Sequence, residues 1–582
     1  MLNPGVVLSM NQLKETNHLH FSQKQKSKTK QISRWYLFLF LAFAFLLLAA
    51  PFHLFANQNQ VSSTDYPNHQ QLGQQLQALS RSHSALARVQ SLAKTEGGKD
   101  IWLLTIGTGD IDNKPALAIV GGVMGDHLLG TELAMQFAGK ILASSAEENV
   151  RNLLDSVSFY IFPDMSPDAR EQYFRTPRYE RLGNANPTDL DRDGRIGEDG
   201  YDDLNSDGLI TMMRVKDPTG EWIKHPDDER VMVKARREKG EIGEYLLFSE
   251  GIDNDKDGQF NEDGEEGVFF NRNFTFKYPV FQRGAGEHAV SEVETRAIAD
   301  FLYDAKNVFA VISFGEANNL TKPLSYSERE ANARLHTGWK KEDIAINQKI
   351  SHLYNKHLEG AAPEAKAGSD GDFFQWAYFH YGRFSFSTQG WQVPKPESAE
   401  KDEYNSAELS FLRWAEENQL ENVFVPWTPV EHPDFPGRLV EVGGVAPFVM
   451  KNPPYQMVDA IAEKHTAFIL DVARLRPQID IVNLKTEKLG RDLTRVTLDV
   501  LNRGTFPTAS ETGEMVRWMQ KTVMRVNLGP DQAIISGKPV EVMGAIGGRS
   551  SEQRSWLIQG RGNVTIRVGA EASGFKEVTV NL

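Results

Sequence analysis

AIVGGVMGDHLLGTELAMQFAGKIL, residues 118–142, is the stretch that decides the fold of this chain. The apolar run at 116–120 predicts a buried strand, Gly121 and Gly122 end it, and an apolar pattern of helical period follows from about Gly130. A strand, a glycine turn and a helix place the turn at the carboxyl edge of an open α/β sheet, where such sheets usually bind ligands. The stretch therefore predicts an α/β protein with a ligand site beside the glycine turn.

Other apolar segments indicate the same fold class. Residues 101–107, 156–162, 309–314 and 384–387 predict buried strands, and 291–302 predicts a helix. Strands that are separated by helical segments are typical of an α/β sheet.

The glycine turn and the segments around it resemble the zinc carboxypeptidases, the carboxypeptidase A-like metallopeptidases. That family has a His-Gly-x-Glu turn followed by residues similar to Gly-Thr-Glu-Leu, and GTEL stands here at 130–133. PDMSPDA (163–169) is similar to the family's Asn-Pro-Asp-Gly turn, and the resemblance extends over roughly 66–468. It implies a carboxypeptidase-like α/β/α domain with a mixed sheet at residues 61–477.

The same resemblance implies a zinc site in which every expected residue has changed. The family's first His and its Glu correspond to Met124 and His127, and its second His corresponds to Gly315. The catalytic Glu, the general base that acts on metal-bound water, corresponds to Gln389. Glycine has no ligand atom, and an amide has no useful basicity near neutral pH. The sequence therefore argues against bound zinc and favours a pseudoenzyme.

A displaced metal site is the alternative to a lost one. Asp126, His127, Glu132 and Glu316 are all expected near the same sheet edge and could recruit a metal there. The simpler interpretations are a hydrogen-bonded turn histidine for His127 and a structural acid for Glu132.

An anion-binding motif of the family persists. GVFFNRNFTFKYP (267–279) contains Asn271 and Arg272, the pair to which the resemblance assigns the peptide's terminal carboxylate. Arginine presents a bidentate fork suited to that group. Arg178 and Arg181 are candidates for a second arginine of the cleft, and salt bridges to a neighbouring acidic insertion are the alternative role for both.

That acidic insertion occupies residues 186–267 and contains three similar segments. They are the first acidic repeat (189–200, DLDRDGRIGEDG), the second (203–211, DLNSDGLIT) and the third (253–264, DNDKDGQFNEDG). Acidic or amide oxygens at alternate positions before a glycine form the first half of an EF-hand-like calcium loop. The sequence thus makes calcium a possible ligand, and solvated acidic turns are the alternative. The candidate ligands are Asp189, Asp191, Asp193, Asp203, Asn205, Asp207, Asp253, Asp255 and Asp257.

The bidentate Glu that ends an EF-hand loop is missing from these repeats. Glu198 and Glu262 fall two residues before the expected position.

The amino-terminal residues 1–60 have the pattern of an export signal or a membrane anchor. Several lysines at 24–30 and Arg34 precede an uncharged apolar run at 35–55. Basic residues before such a run direct export with the amino terminus inside, and its length suits either a cleaved signal or an uncleaved anchor. The expected location is the periplasm, free or anchored to the inner membrane, with no other contact with the membrane.

Composition excludes several functions. The chain has no cysteine, so it can form neither a disulfide nor a thiolate metal site. Its formal net charge of -14 argues against nucleic-acid binding, which favours basic surfaces.

The carboxyl-terminal residues 478–582 differ in character from the rest. Short alternating segments such as VTLDVL and VTIRV, separated by Gly, Pro and polar turns, predict an all-β immunoglobulin-like sandwich.

Three functions are consistent with these patterns. The leading hypothesis is an exported carboxypeptidase-fold protein that binds the carboxyl end of peptides without hydrolysis, with cell-wall peptides as a ligand class suggested by location. The second is an active metallocarboxypeptidase with a non-standard metal site. The third is a structural or interaction protein that uses the β-sandwich for binding.

Overall fold

The computed structural model describes residues 65–189, 194–264, 267–399 and 401–582. Within them the strands are β1 (Ala87–Lys94), β2 (Asp100–Ile106), β3 (Ala116–Val120), β4 (Ser158–Phe162), β5 (Met212–Lys216), β6 (Trp222–His225), β7 (Asp228–Lys234), β8 (Tyr245–Ser249), β9 (Val308–Phe314), β10 (Phe384–Thr388), β11 (Phe424–Val430), β12 (Val440–Val445), β13 (Ile479–Lys488), β14 (Leu493–Asn502), β15 (Val523–Asn527), β16 (Ala533–Ser536), β17 (Val540–Val542), β18 (Ser551–Gln559), β19 (Asn563–Ala570) and β20 (Gly574–Asn581). The α-helices of the same residues are α1 (His69–Ser82), α2 (Leu128–Ala143), α3 (Glu148–Ser156), α4 (Pro167–Arg170), α5 (Val293–Asp304), α6 (Glu328–Ala331), α7 (Lys341–Leu358), α8 (Phe373–Phe379), α9 (Ala407–Glu417), α10 (Tyr455–Arg474) and α11 (Glu511–Met515).

A mixed six-stranded sheet organises the main domain, in the order β1-β2-β4-β3-β9-β10. Strands β4, β3, β9 and β10 are parallel, while β1 and β2 pair antiparallel at one side. Every residue of the four parallel strands is buried, although successive side chains point to opposite faces. Both faces are therefore covered, as expected of continuous apolar runs in parallel sheets. The strands predicted at 101–107, 156–162, 309–314 and 384–387 are confirmed.

Helices pack around this sheet. Helix α10 lies against α2 and α7, while α1 and α5 contact β1. The turn between β3 and α2 requires glycine, because a Cβ on Gly121 would lie 2.5 Å from the carbonyl oxygens of Gly130 and Pro163. This close backbone approach holds the start of α2 against the carboxyl edge of the sheet.

A second six-stranded sheet was not predicted. It has the order β11-β12-β5-β8-β6-β7 and pairs its strands antiparallel. Strands β5 to β8 lie inside the acidic insertion, whose clearest sequence signals are its loops. Short half-buried strands with interspersed charges, such as Asp228–Lys234, have a weak pattern, and their partners β11 and β12 are about two hundred residues away.

The carboxyl-terminal region consists of two four-stranded sheets, β13-β14-β18-β16 and β17-β15-β19-β20. Alternate residues of β14 and β19 are buried, and together with residues of the other strands they form one apolar cluster. The prediction of an all-β region after residue 478 is confirmed at this level.

Some predictions concern residues outside the described ranges. These are the export signal or anchor at 1–60, together with Asp191 and Asp193 of the first acidic repeat. Among the helices that the structure does describe, none combines the length and the apolar character needed to cross a membrane.

Candidate functional site

A cavity of about 110 Å³ lies at the carboxyl edge of the mixed sheet. Met124 follows the glycine turn after β3, Gly315 directly follows β9, and Gln389 directly follows β10. Because these parallel strands are neighbours, their ends meet, and Met124, His127, Gly315 and Gln389 all line the cavity. The structure thus brings together the four positions at which the resemblance places the zinc ligands and the general base.

Met124 and Gly315 offer little to a metal. The Met124 thioether is a weak acceptor. At Gly315 a Cβ would lie 2.6 Å from Cγ2 of Val123, which is itself buried. Val123 therefore occupies the space in which any side chain at position 315 would begin.

His127 is buried, and its ring is bonded to the backbone. Its Nε2 lies 3.0 Å from the Gln389 carbonyl oxygen. A carbonyl only accepts, so Nε2 carries the proton and donates it. Burial lowers the pKa of His127 to about 4, although the hydrogen bonds to backbone carbonyls oppose the shift. The ring is therefore neutral at physiological pH, and Nε2 is not available as a ligand.

Gln389 contributes an amide to the cavity. Its side chain is half-buried and makes no hydrogen bond to another residue that the structure describes. The amide can donate and accept hydrogen bonds to a bound molecule, but it cannot take up a proton as a general base.

An ion pair that the sequence did not predict forms part of the cavity wall. Lys451 Nζ bonds to the buried carboxylate of Asp126 and lies 2.7 Å from Oε2 of Glu180. Burial alone would lower the pKa of Lys451, but the two carboxylates outweigh burial and raise it. Burial also raises the pKa of Asp126 to about 6, and Lys451 limits that rise. Both groups are therefore charged at neutral pH.

The one sequence signal for Lys451 is its neighbour Asn452, which begins an Asn-Pro-Pro motif. Asn452 donates through Nδ2 to the Asp126 carbonyl oxygen (2.9 Å) and accepts the Leu129 N–H through Oδ1 (3.1 Å). The motif thus attaches the segment of Lys451 to the turn before α2.

Comparison with known proteins identifies the family. The zinc carboxypeptidase family model matches residues 72–395, which is more than half of the chain. The chain belongs to the zinc carboxypeptidase family. A second model, a domain of unknown function (DUF8731), matches residues 478–581.

Individual relatives of the zinc carboxypeptidase family are distant. Carboxypeptidase M of Mus musculus is 24% identical over 200 residues, which are 33% of this chain and 43% of that protein. Carboxypeptidase D of Anas platyrhynchos is 29% identical over 147 residues, 24% of this chain and 10% of that protein. The chain thus covers less than half the length of these relatives.

Solved structures of similar proteins include thrombin activatable fibrinolysis inhibitor. It has a TM-score of 0.40 and 12% identity, and the match covers 70% of this chain and 74% of that chain. A metallo-carboxypeptidase from Burkholderia cenocepacia has a TM-score of 0.27 and 13% identity, with 55% and 58% of the two chains covered.

The cavity of this zinc carboxypeptidase homologue does not fit zinc. A catalytic zinc site needs three nitrogen, oxygen or sulfur ligands and an open position. Here a thioether, a glycine and a histidine bonded to a carbonyl stand at the family's ligand positions. Across the described ranges, one group of three His, Asp or Glu side chains has ligand atoms within 4.8 Å of one another, and it lies in the third acidic repeat.

The candidates for a displaced metal have other partners. Asp126 pairs with Lys451, and Glu316 lies 2.9 Å from Lys366 Nζ. Glu132 is buried, 3.4 Å from the Tyr455 hydroxyl. Of these candidates, Asp126, His127 and Glu316 line the cavity, and Glu132 does not.

The motif predicted to bind a carboxylate lies in a short 3-10 helix, Phe270–Arg272, outside the cavity wall. Asn271 accepts the N–H of Phe373, the first residue of α8, through Oδ1 (3.0 Å). Arg272 donates through Nη1 to the Arg283 carbonyl oxygen (2.9 Å). Its Nε and Nη2 bond to no other residue that the structure describes, and no described carboxylate pairs with it. Arg272 therefore has donors free for an anion.

Arg178 and Arg181, the two other candidate arginines, have different surroundings. Arg181 is buried and donates to the backbone carbonyl oxygens of Gly183 (2.9 Å) and Asn184 (2.6 Å). These bonds direct its Nε and Nη2 donors to the backbone. Arg178 lies over the Tyr173 ring at 4.4 Å and forms no salt bridge with a described carboxylate.

The acidic repeats share one turn geometry. The leading aspartates Asp189, Asp203 and Asp253 accept the N–H of the glycine five residues later, at 3.0, 2.8 and 3.1 Å in chain order. In the second repeat, Asn205 Nδ2 bonds to Asp207 (2.9 Å). In the third, the carboxylates of Asp253, Asp255 and Asp257 converge.

Proposed function

We propose that this member of the zinc carboxypeptidase family binds the carboxyl end of peptides and does not hydrolyse them. One observation carries the proposal: the positions expected to hold zinc and the general base meet in one cavity, and they carry Met124, His127, Gly315 and Gln389. Hydrolysis of the family's kind needs a metal-activated water and a base that takes its proton. These four residues supply neither function.

Arg272 is the group proposed to receive the terminal carboxylate. Its free donors can form the charge-assisted contacts that a carboxylate favours. Lys451 is a weaker candidate, because Asp126 and Glu180 already neutralise it. The 3-10 helix that carries Arg272 contacts α8, and α8 contacts β10, the strand that ends at the cavity.

Gln389 is proposed to bind a peptide group of the same ligand. Its amide is unoccupied and lines the cavity, and one amide can both donate to a carbonyl and accept from an N–H. The ligand class of cell-wall peptides rests on the export signal predicted for residues 1–60. We also propose that residues 478–582 form an immunoglobulin-like sandwich. The role proposed for this region is to pack against the main domain.

Calorimetric titration of one peptide, as free acid and as carboxyl-terminal amide, tests this function. Arg272→Ala should weaken binding of the free acid about tenfold or more, because charge-assisted contacts contribute roughly 1.5–3 kcal/mol. Amidation should cause a similar loss in the wild type. Arg272→Ala and amidation together should weaken binding little more than either change alone, since each removes the same contact.

Arg334→Ala, at an exposed position, is the matched control and should bind like the wild type. Equal affinities of the wild type for acid and amide would contradict carboxylate binding. Elemental analysis of the same preparation should give well under one zinc per chain, with no release of carboxyl-terminal residues. Stoichiometric zinc with chelator-sensitive peptidase activity would instead support an active enzyme.

A further inference from the structure

The first and third acidic repeats form a pair. Asp199 and Asp263, at equivalent positions of the two copies, are joined by an antiparallel backbone bridge. The Gly197 N–H donates to Asp263 Oδ2 (2.8 Å), and the equivalent Asn261 N–H donates to Asp199 Oδ2 (2.6 Å). Each repeat thus donates a backbone N–H to the equivalent aspartate of the other. The backbone of the third repeat is therefore held in place by the first.

The third repeat gathers three carboxylates. Ligand oxygens of Asp253, Asp255 and Asp257 lie within 4.8 Å of one another. The loop's own cation, Lys256, pairs with Asp434 at 2.6 Å. Like charges at this separation repel one another unless a cation lies among them.

Glu262 is an independent sign of a ligand. Its side chain is 8% exposed, and neither carboxylate oxygen receives a hydrogen bond from another described residue. The carboxylates of Asp199 and Asp257 lie close enough to interact with it electrostatically. A buried carboxylate that faces other carboxylates and has no donor is costly without a cation.

We propose that the third acidic repeat binds a calcium ion through Asp253, Asp255, Asp257 and Glu262. Carboxylate oxygens in a flexible glycine-containing loop suit calcium, which accepts six to eight oxygen ligands. In sequence Glu262 comes two residues before the EF-hand position. The pairing of the two repeats fixes the backbone of the preceding residue, because Asp199 accepts the N–H of Asn261.

This calcium site would stabilise the insertion. Asn261 Nδ2 donates to the Glu250 carbonyl oxygen (2.7 Å), one residue beyond β8. An ion held next to Asn261 thus stabilises the paired repeats and the second sheet together. The inference is independent of the proposed peptide binding.

The test combines thermal unfolding with calorimetric titration of calcium chloride into the full chain. Calcium at millimolar concentration should raise the melting temperature above that in excess chelator, because the ion binds the folded state. Glu262→Gln should weaken calcium binding about tenfold or more, since one charged ligand is lost. In chelator the same variant should melt at or above the wild-type temperature, because a buried charge is removed.

Glu238→Gln, at an exposed position of the same insertion, is the matched control and should leave calcium binding unchanged. A purely structural Glu262 would shift the melting temperature in the same direction with and without calcium, and that result would overturn the proposal. So would the absence of any calcium effect on the wild type. An equal effect of magnesium at the same concentration would overturn the assignment to calcium.

Discussion

At the scale of single residues, Gly315 shows how the cavity differs from a working metal site. Its N–H donates to the Thr388 carbonyl oxygen (3.0 Å), which ties the end of β9 to β10. The missing side chain leaves room for Val123, whose Cγ2 would lie 2.6 Å from a Cβ at position 315. Replacing a glycine with a ligand would therefore not be enough to rebuild the site, because the neighbouring packing has adjusted to the glycine.

Gly315→Ala should destabilise the protein by about 1–3 kcal/mol, the usual cost of overpacking. In a Val123→Ala background the same change should cost less, with a coupling of at least about 0.5 kcal/mol, because the clashing methyl group is gone. Urea unfolding of the four proteins of the cycle measures this. Gly139→Ala in α2, where a Cβ meets no atom within 4 Å, is the control and should be neutral or stabilising. Equal costs in both backgrounds would show that Val123 is not the obstacle.

At the scale of elements, one segment attaches the carboxyl-terminal sheets to the main domain. Phe506, between β14 and α11, is fully buried with its ring 5.2 Å from that of Phe309 and 5.1 Å from that of Phe384. A few residues later, the backbone N–H groups of Glu511 and Thr512 donate to Asp343 in α7 (3.0 and 3.4 Å). The aromatic contact and the two hydrogen bonds join the two regions.

Phe506→Ala should lower the free energy of unfolding by about 3–5 kcal/mol, because it leaves a cavity between β9, β10 and the carboxyl-terminal region. Leu489→Ala, at a 44% exposed position of the same region, should change it by about 0.5 kcal/mol or less. Chemical unfolding of both variants measures the difference. A loss of under about 1 kcal/mol for Phe506→Ala would mean that this ring does not hold the two regions together.

At the scale of the whole molecule, buried acids affect how stability depends on pH. Burial is the main cause of a raised pKa at several of them. The values are about 7 for Glu132, Glu294 and Asp372, and about 6 for Asp164 and Asp343. Each of these groups favours the folded state when protonated. The stability that it contributes is present below its unfolded pKa and is lost as pH rises through the folded value.

Glu132→Gln tests this, because glutamine keeps the shape and removes the titration. Between about pH 4.5 and 7 the folded wild type holds a proton on Glu132 that the unfolded chain has released. The variant should therefore gain stability relative to the wild type from pH 5 to pH 8, by about 2–3 kcal/mol. Chemical unfolding at the two pH values gives the difference. Glu463→Gln, on the exposed face of α10, should show no such gain. If the free energies of unfolding of Glu132→Gln and the wild type differ by the same amount at both pH values, the role of burial is refuted.

The sequence by itself determined the elements whose signals are local. Continuous apolar runs predicted β3, β4, β9 and β10, because strands covered on both faces need apolar residues at every position. Motif residues next to those runs located Met124, His127, Gly315 and Gln389, and parallel strands necessarily bring their carboxyl ends together. The acidic repeats could be recognised because their signal is also local: a turn that requires glycine has its own short sequence pattern.

Only the tertiary structure decided contacts between distant segments. Lys451 contacts Asp126 from more than three hundred residues away, and β5 pairs with β12 from about two hundred residues away. It also decided that Arg181 bonds to backbone while Arg272 keeps free donors. Local sequence determines backbone period and turn type, but the partner of a long polar side chain depends on which segments the packed core brings within about 3 Å of it.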